Sequence, residues 1–402
     1  MKIACRICGS HNLEPCIDLG DQPWCNNFLT SEQIGTEPSY PLRVVYCHDC
    51  HTSQLDFTVK KEIMFGDHTY LSGVTKSLSN HFLSIAKITL DNFFEGSNRS
   101  LINVLDIGSN DGTQLKHYKN SGCNVLGVES SKTTATIASQ AGINTLNEFF
   151  NEQVALRISE KQNIINASGV FFHLEELHSV TRGIKHLLDK DGVFVVQFLY
   201  MKSIVENNAF DQIYHEHLLY YTLSTITKLL SIHELSIEDA FLAPIHGGSM
   251  ICFVRHTDRC KPTKRYKELL AQEEISQINT FSSYLSFSRR IEEFKIRDMD
   301  YLYQAKKLGK TIYGFGAPVK GNTLLNYFGI GKDVLDYLVE KNELRDGLFS
   351  PGMHIPIKLE KDLTQLPDIY YVLAWNFRDE ILANNQELID NGVEFYFPVN
   401  PA

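Results

Sequence analysis

Four functional side chains stand in a row at Tyr214, His215, Glu216 and His217. Core packing has no use for contiguous polar groups, so this density marks a place where chemistry is done. Histidine is the side chain best poised to take a proton near neutral pH, and a neighbouring carboxylate can raise its basicity and fix its tautomer. Tyrosine, or a second histidine, can donate to an oxyanion as it forms. The segments GVFFHLEELH and APIHGGSM add His173 and His246. His173 follows an expected strand and should face the ligand crevice of an α/β sheet, whereas His178 lies in the next helix as a surface or capping residue. Were 214–217 a strand, His215 and His217 would share a face and could hold a metal, which leaves a two-histidine site open.

A second constellation is made of sulfur. Two Cys-x-x-Cys pairs, Cys5/Cys8 and Cys47/Cys50, read as knuckles that close one tetrahedral structural zinc site. The competing readings are a redox pair or coincidence. His51 is a bystander once four thiolates satisfy the metal, and Cys16, Cys25, Cys123, Cys252 and Cys260 read as small apolar residues.

The third is a glycine loop, LDIGSNDGTQL. Asp106, Gly108, Asn110, Asp111 and Gly112 fall where an expected strand, Leu101 to Ile107, gives way to a helix starting at Asp111. The glycine spacing is not the dinucleotide fingerprint, and Asp106 and Asp111 would repel a pyrophosphate. These acids suit the ammonium and sulfonium of S-adenosylmethionine. Glu129, at the end of the next strand (Asn124 to Val128), can accept from both ribose hydroxyls. A methyl donor beside a base and oxyanion donors describes methylation of carbon next to a carbonyl: deprotonate, hold the enolate, and let carbon attack the methyl group. Oxygen or nitrogen methylation needs less equipment.

These groups must be positioned by alternating elements. A helix near Leu78 to Phe94 precedes the loop. A strand at Asn163 to Ala167, a helix at His178 to Leu188, a turn at Asp189 to Gly192 and a strand at Val193 to Phe198 follow it. Such alternation predicts a parallel sheet with helices on both faces. A charged, helix-permitting stretch, Arg259 to Asp300, bridges to a second βαβ signature. There Thr311 to Phe315 reads as a strand, Gly314, Gly316 and Gly321 turn into a helix, Val334 to Val339 is the next strand ending at Glu340, and Ile369 to Ala374 another. The turn GAPVKGN, with Lys320 and Asn322, suits phosphate; equally, it could be a structural turn left by duplication of the central domain. The fold class is therefore α/β in three parts: a zinc-binding module (1–66), an S-adenosylmethionine-binding domain (67–258) and a C-terminal Rossmann-like domain with a helical linker at its start (259–402).

Composition bounds the partners. With 38 Lys+Arg against 48 Asp+Glu the formal charge is −10, which speaks against nucleic acid. The longest apolar run, Val193 to Met201, is interrupted by Gln197 and too short to span a bilayer, and MKIACRICGS lacks a signal core. A cytoplasmic protein with reduced thiols is expected.

The runs CRICGS, LGDQPWCNNF and YPLRVVYCHDC, then LDIGSNDGTQL, FDQIYHEHLLYYTL, YGFGAPVKGNTLLNYF and SPGMHIPI, resemble the three-part sugar C-methyltransferases that act on nucleotide-linked 4-keto-deoxysugars. The resemblance covers essentially the whole chain. It implies a zinc-binding domain, a central class I methyltransferase domain, a C-terminal Rossmann-like domain, and methyl transfer to carbon 3 of a dTDP- or GDP-linked sugar. It further implies that His217 is the general base, that Tyr70, His173 and Tyr214 position the sugar or stabilise the enolate, and that Glu216 orients its neighbours. Lys320, Asn322 and His246 are the candidate substrate-binding residues. Two other readings compete: an NAD-dependent nucleotide-sugar oxidoreductase, and a non-enzymatic zinc-dependent interaction protein. The latter leaves Tyr214 to His217 unexplained.

Overall fold

The computed structural model describes residues 3–66 and 71–399, so Tyr70 lies outside the described residues. Three sheets follow one another along the chain. The first is antiparallel: β1 (Leu13–Pro23), β2 (Ser39–Cys47) and β3 (Ser53–Leu55). Its free edge is extended by a two-residue strand from the central region, which pairs Ser53 with Tyr220 and Gln54 with Leu219. The sulfurs of Cys5, Cys8, Cys47 and Cys50 all lie within 4.8 Å of one another, with Cys5 to Cys50 at 3.4 Å and Cys8 to Cys47 at 3.6 Å. A tetrahedral zinc with Zn–S of about 2.3 Å places its sulfurs about 3.8 Å apart, so the donor set fits zinc. His51 instead pairs its Nδ1 with the Tyr46 hydroxyl at 2.6 Å.

The central sheet contains β4 (Asn103–Ile107), β5 (Asn124–Val128), β6 (Thr145–Leu146), β7 (Gln162–Ser168) and β8 (Leu188–Leu199). After β9 (Leu219–Tyr220), the short strand paired to the first sheet, come β10 (Leu235–Ala243) and β11 (Ser249–His256). The order is β10-β11-β8-β7-β4-β5-β6. Strands β4 to β8 run parallel, as expected, but β10 and β11 form an antiparallel hairpin against β8. Only a short turn, Pro244 to Gly248, joins those two strands, and a connection that short can only reverse the chain. The expected turn at Asp189 to Gly192 exists as an irregularity inside β8: Gln162 pairs with Leu188 and Ile164 with Val193, and the Asp189 carboxylate accepts from Asp191 N at 3.0 Å. From β4 the chain winds outward to β6 and then crosses back to β7. The carboxyl ends of β4 and β7 therefore flank a topological switch point, where open α/β sheets bind ligands.

The third sheet is wholly parallel: β12 (Ile312–Phe315), β13 (Leu338–Glu340), β14 (Ile357–Leu359), β15 (Ile369–Val372) and β16 (Glu394–Tyr396), in the order β14-β13-β12-β15-β16. Its second strand is shorter than expected, because Leu335 N and Val334 N close a turn on Gly331 O before extended structure begins.

The expected bridge is two helices, Lys264–Ile275 and Phe281–Lys307. Tyr284, Phe287, Ile291, Leu302 and Ala305 form the buried stripe of the longer one. That stripe belongs to a single apolar cluster that also takes in Ile17, Leu42 and Val44 of the first sheet, Phe210 and Ile213 of the central region, and Leu324, Tyr371 and Trp375 of the third. The three parts thus share one core, and residues 210–213 lie inside it.

The sulfur cluster packs on the central domain, with Cys5, Cys47 and Cys50 in the cluster that contains Leu219, Tyr221 and Leu223. Replacing Cys47 should therefore release zinc and loosen more than the knuckles. For Cys47→Ser, elemental analysis should show loss of stoichiometric zinc, and the thermal midpoint should fall by roughly 5 °C or more. A metal-free wild-type protein with an unchanged midpoint would remove the zinc assignment.

Candidate active site

Residues 210–218 are a 3₁₀ turn, Phe210–Gln212, followed by an irregular loop in which His217 N donates to Tyr214 O at 2.9 Å. No strand forms here, so His215 and His217 meet different partners. His215 lies against Tyr40, with Nε2 at 3.3 Å from the Tyr40 carbonyl and the rings edge-on. His217 turns the other way, 5.2 Å from the ring of His173 and 3.8 Å from that of Tyr214.

His217 is buried, and its Nδ1 lies 2.7 Å from the Gln212 carbonyl. A carbonyl can only accept, so the proton sits on Nδ1 and Nε2 is the basic nitrogen. Burial, reinforced by His173, holds the imidazole well below its ordinary pKa, keeping it neutral and ready to accept a proton. His173 is fixed the same way, with Nδ1 2.5 Å from the Glu216 carbonyl. In that tautomer neutral His173 accepts at Nε2, and it could donate to an oxyanion only as an imidazolium. Tyr214 has its phenol pushed well above the ordinary range by burial and by nearby Glu216, so it stays protonated as a donor.

The carboxyl of Glu216 is buried, and burial raises its pKa to about 7. Its Oε1 accepts from Trp24 Nε1 at 2.8 Å and from Asn26 Nδ2 at 3.3 Å, both carried by the loop after β1. Sequence reasoning on site residues missed these two, and it also missed Gln212, Asp211 and Trp375. One compositional signal was available: the chain has two tryptophans, and both are here.

Around the switch point, Asp106 and Glu129 are buried at the ends of β4 and β5. Burial raises both pKa values, and for Asp106 the neighbouring Glu129 adds to the effect. A cationic ligand would relieve that cost, which is the chemistry S-adenosylmethionine offers. Gly108 has φ +69°, and a Cβ there would lie 2.5 Å from Val170 Cγ2, so the loop leaves no room for a side chain. Glu129 is oriented by Asn110 N and Ser131 N, each 2.8 Å from one of its oxygens, with the Ser130 hydroxyl 3.5 Å from Oε1. Asn110 and Asp111 make further contacts that the loop motif does not show. Asn110 Oδ1 accepts from Ser72 N at 3.0 Å and Asp111 Oδ2 from Gly73 N at 2.8 Å, which ties the segment after Tyr70 to the loop. Gly112, at φ +78°, starts the helix Thr113–Asn120.

The third domain reaches the loop of residues 210–218. Lys320 has its Nζ 3.6 Å from the Trp375 ring centre and 3.8 Å from Asp211 Oδ2, and burial lowers its pKa to about 8. His246 borders the crevice on a left-handed residue, φ 55°, and its carbonyl accepts from Gln212 Nε2 at 3.0 Å. Asn322, in contrast, is buried and donates to Cys25 O at 2.7 Å, so its amide ties the third sheet to the first. The expected phosphate turn is also differently engaged: Gly316 N donates to Val339 O at 2.8 Å and Ala317 N to Glu340 at 3.1 Å.

Three family models match the chain in order: a zinc binding domain over residues 5–65, a methyltransferase domain over 79–238 and a C-methyltransferase C-terminal domain over 244–400. C-methyltransferase NovU of Streptomyces niveus is 29% identical over 401 residues, spanning 98% of this chain and 95% of that relative. Among solved structures, the plantazolicin methyltransferase BpumL in complex with SAH aligns at TM-score 0.36 and 14% identity, covering 45% of this chain and 86% of that one. Magnesium protoporphyrin IX methyltransferase (ChlM) from Synechocystis PCC 6803 with bound SAM aligns at TM-score 0.34 and 14% identity, covering 47% and 86%. Among the described residues, no helix is long and apolar enough to cross a membrane.

The raised pKa of Glu216 has a measurable sign. A carboxyl near 4.3 when unfolded and at about 7 when folded binds its proton more tightly in the native state, so stability is lost as pH rises through that window. Glu216→Gln keeps an acceptor for Trp24 and Asn26 without the charge. Urea unfolding should find it more stable than wild type by about 3 kcal/mol at pH 8, and nearly equal at pH 4.5. An equal difference at both pH values would contradict the buried, proton-avid carboxyl.

Proposed function

Because the chain belongs to the three-part, S-adenosylmethionine-dependent C-methyltransferases, we propose that its acceptor is carbon 3 of a dTDP- or GDP-linked 4-keto-6-deoxyhexose, methylated through an enolate. The observation that carries the reading is the 2.7 Å contact between His217 Nδ1 and Gln212 O. It makes Nε2 the proton acceptor of a buried imidazole beside His173 and Tyr214. A carbon next to a carbonyl is acidified only by its neighbour, so it needs such a base, whereas a hydroxyl or amine acceptor is already nucleophilic. The motif order along the whole chain supports a sugar acceptor, and the full-length likeness to a protein named as a C-methyltransferase supports transfer to carbon.

In this mechanism His217 Nε2 takes the proton from carbon 3, and the electron pair moves toward the carbon-4 oxygen. The Tyr214 hydroxyl donates to that oxygen as charge develops. Glu216 holds the loop against Trp24 and Asn26, and its backbone carbonyl fixes the tautomer of His173. S-adenosylmethionine, held over Asp106, Gly108 and Glu129, supplies the electrophilic methyl group. Lys320 and His246 face the acceptor from the other wall. Tyr70 comes directly before Leu71 in the sequence, ahead of the segment that Asn110 and Asp111 tie down, and we assign it to sugar positioning.

The test is incubation with S-adenosylmethionine and a dTDP-4-keto-6-deoxyhexose in deuterated water, following product mass and deuterium at carbon 3. One methyl group should be gained, with exchange that depends on His217. His217→Ala should lower turnover by about 10²–10⁴-fold and leave S-adenosylmethionine binding intact. A His217→Ala enzyme with full activity would reject the base, and neither signal with dTDP- or GDP-sugars would reject the acceptor.

A further inference from the structure

Lys320 begins in the third sheet's glycine turn but does not serve it. Its side chain leaves the turn, lies over the indole of Trp375 with Nζ 3.6 Å from the ring centre, and stops 3.8 Å from Asp211 Oδ2. Asp211 is fully buried, and its Oδ2 accepts from Trp375 Nε1 at 2.6 Å. The indole is fixed from behind by the turn that carries His246: a Cβ on Gly247 would lie 2.7 Å from Trp375 Cη2. At 3.8 Å the ion pair makes no hydrogen bond. Lys320 Nζ and Asp211 Oδ1 are both buried and have no hydrogen-bond partner among the described residues.

An ammonium with unmatched donors beside a carboxylate oxygen with unmatched lone pairs is costly to keep in a core. The two groups also sit next to the chemistry. Asp211 precedes Gln212, whose carbonyl sets the tautomer of His217 and whose amide donates to His246 O. Both needs are met by one group that accepts from the ammonium and donates to the carboxylate, and a hydroxyl does both. A phosphate does not, since at neutral pH it has little to donate and Asp211 repels it. Two backbone donors that a phosphate would need at this turn, Gly316 N and Ala317 N, are already bonded to Val339 O and Glu340.

We propose that Lys320 Nζ and Asp211 Oδ1 together bind a hydroxyl of the acceptor's sugar ring, so that this pair reads the sugar and not its phosphates. The assignment rests on the nucleotide-sugar reading above. It makes the C-terminal domain part of the acceptor site through one lysine and one tryptophan.

Both tryptophans of the chain are at the site, Trp375 under Lys320 and Trp24 on Glu216, so intrinsic fluorescence reports binding directly. Titrations with dTDP and with a dTDP-4-keto-6-deoxyhexose, and with the GDP pair in parallel, separate nucleotide from sugar. Lys320→Met should weaken the sugar nucleotide by about 10- to 100-fold, the size expected for a lost hydrogen bond to a charged group, and change the affinity for the free nucleotide by less than about 2-fold. Asp211→Asn retains an acceptor for Trp375, and should show the same selectivity if Lys320→Met fails to fold. Equal loss for nucleotide and sugar nucleotide would make Lys320 a phosphate ligand and overturn the assignment. Unchanged binding of both in the variants would make the pair structural and overturn it too. Wild-type protein that binds no sugar nucleotide would overturn the proposed function along with it.

Discussion

The hydrogen bond from His217 Nδ1 to the Gln212 carbonyl decides which nitrogen can act as a base, and most of the architecture bears on that one carbonyl. Gln212 is held at its own side chain by His246 O, and through Asp211 by the indole of Trp375. The loop is held again at Glu216 by Trp24 and Asn26. Its ends reach the central domain through Leu218 N to Phe172 O at 2.8 Å. An irregular loop has little stability of its own. Here it is made rigid because groups from all three sheets converge on it and because Phe210 and Ile213 sit in the core that those sheets share.

Such an arrangement keeps several ionisable groups out of water at a cost. Glu216 near pH 7, Asp106 pushed up by burial and Glu129, and Lys320 lowered to about 8 each sit in the folded state at a free energy that hydrophobic replacements would avoid. Asp106, Glu129, Asp211 and Glu216, whose pKa values burial raises, cluster at the switch point and around the loop, which agrees with a demand from chemistry. The buried polar network of Asp298 with Tyr371, Tyr396 and Arg297 is the instructive contrast, since every contact there is satisfied within the third domain.

Much of this was readable in the sequence where the signal is local. Strand and helix periodicity located β4, β5, β7, β12 and β15 to within a few residues, and the Cys-x-x-Cys spacing identified the sulfur cluster before any geometry was known. The density of Tyr214 to His217 pointed to the site for a physical reason, the expense of contiguous polar groups in a core. What could not be read was any contact across domains. Nothing about Trp24 in one part and Trp375 in another says that they meet residues 216 and 211, because such pairing depends on how sheets dock and not on spacing. Asn110 and Asp111 show a second limit. Their side chains accept from Ser72 N and Gly73 N, a partner segment that the motif does not reveal.

The central and third sheets put one local device to different uses. At the end of β5, Glu129 accepts from Asn110 N and Ser131 N; at the end of β13, Glu340 accepts from Ala317 N, Lys341 N and Asn342 N. In the central domain the crevice beyond that acid remains lined by Asp106 and Gly108. In the third it is closed from within and from outside. Arg345 binds the Ala317 carbonyl and Glu340, and lies over Phe28 at 4.5 Å. Asn322 takes the Cys25 carbonyl, and Leu29 pairs with Phe349. The place beyond β13 that corresponds to the crevice beyond β5 therefore receives the N-terminal domain. That docking carries the loop of Trp24 and Asn26 to Glu216. The third domain thus has a physical task here: the segments beyond β12 and β13 hold the first domain where Trp24 and Asn26 meet the loop of His217.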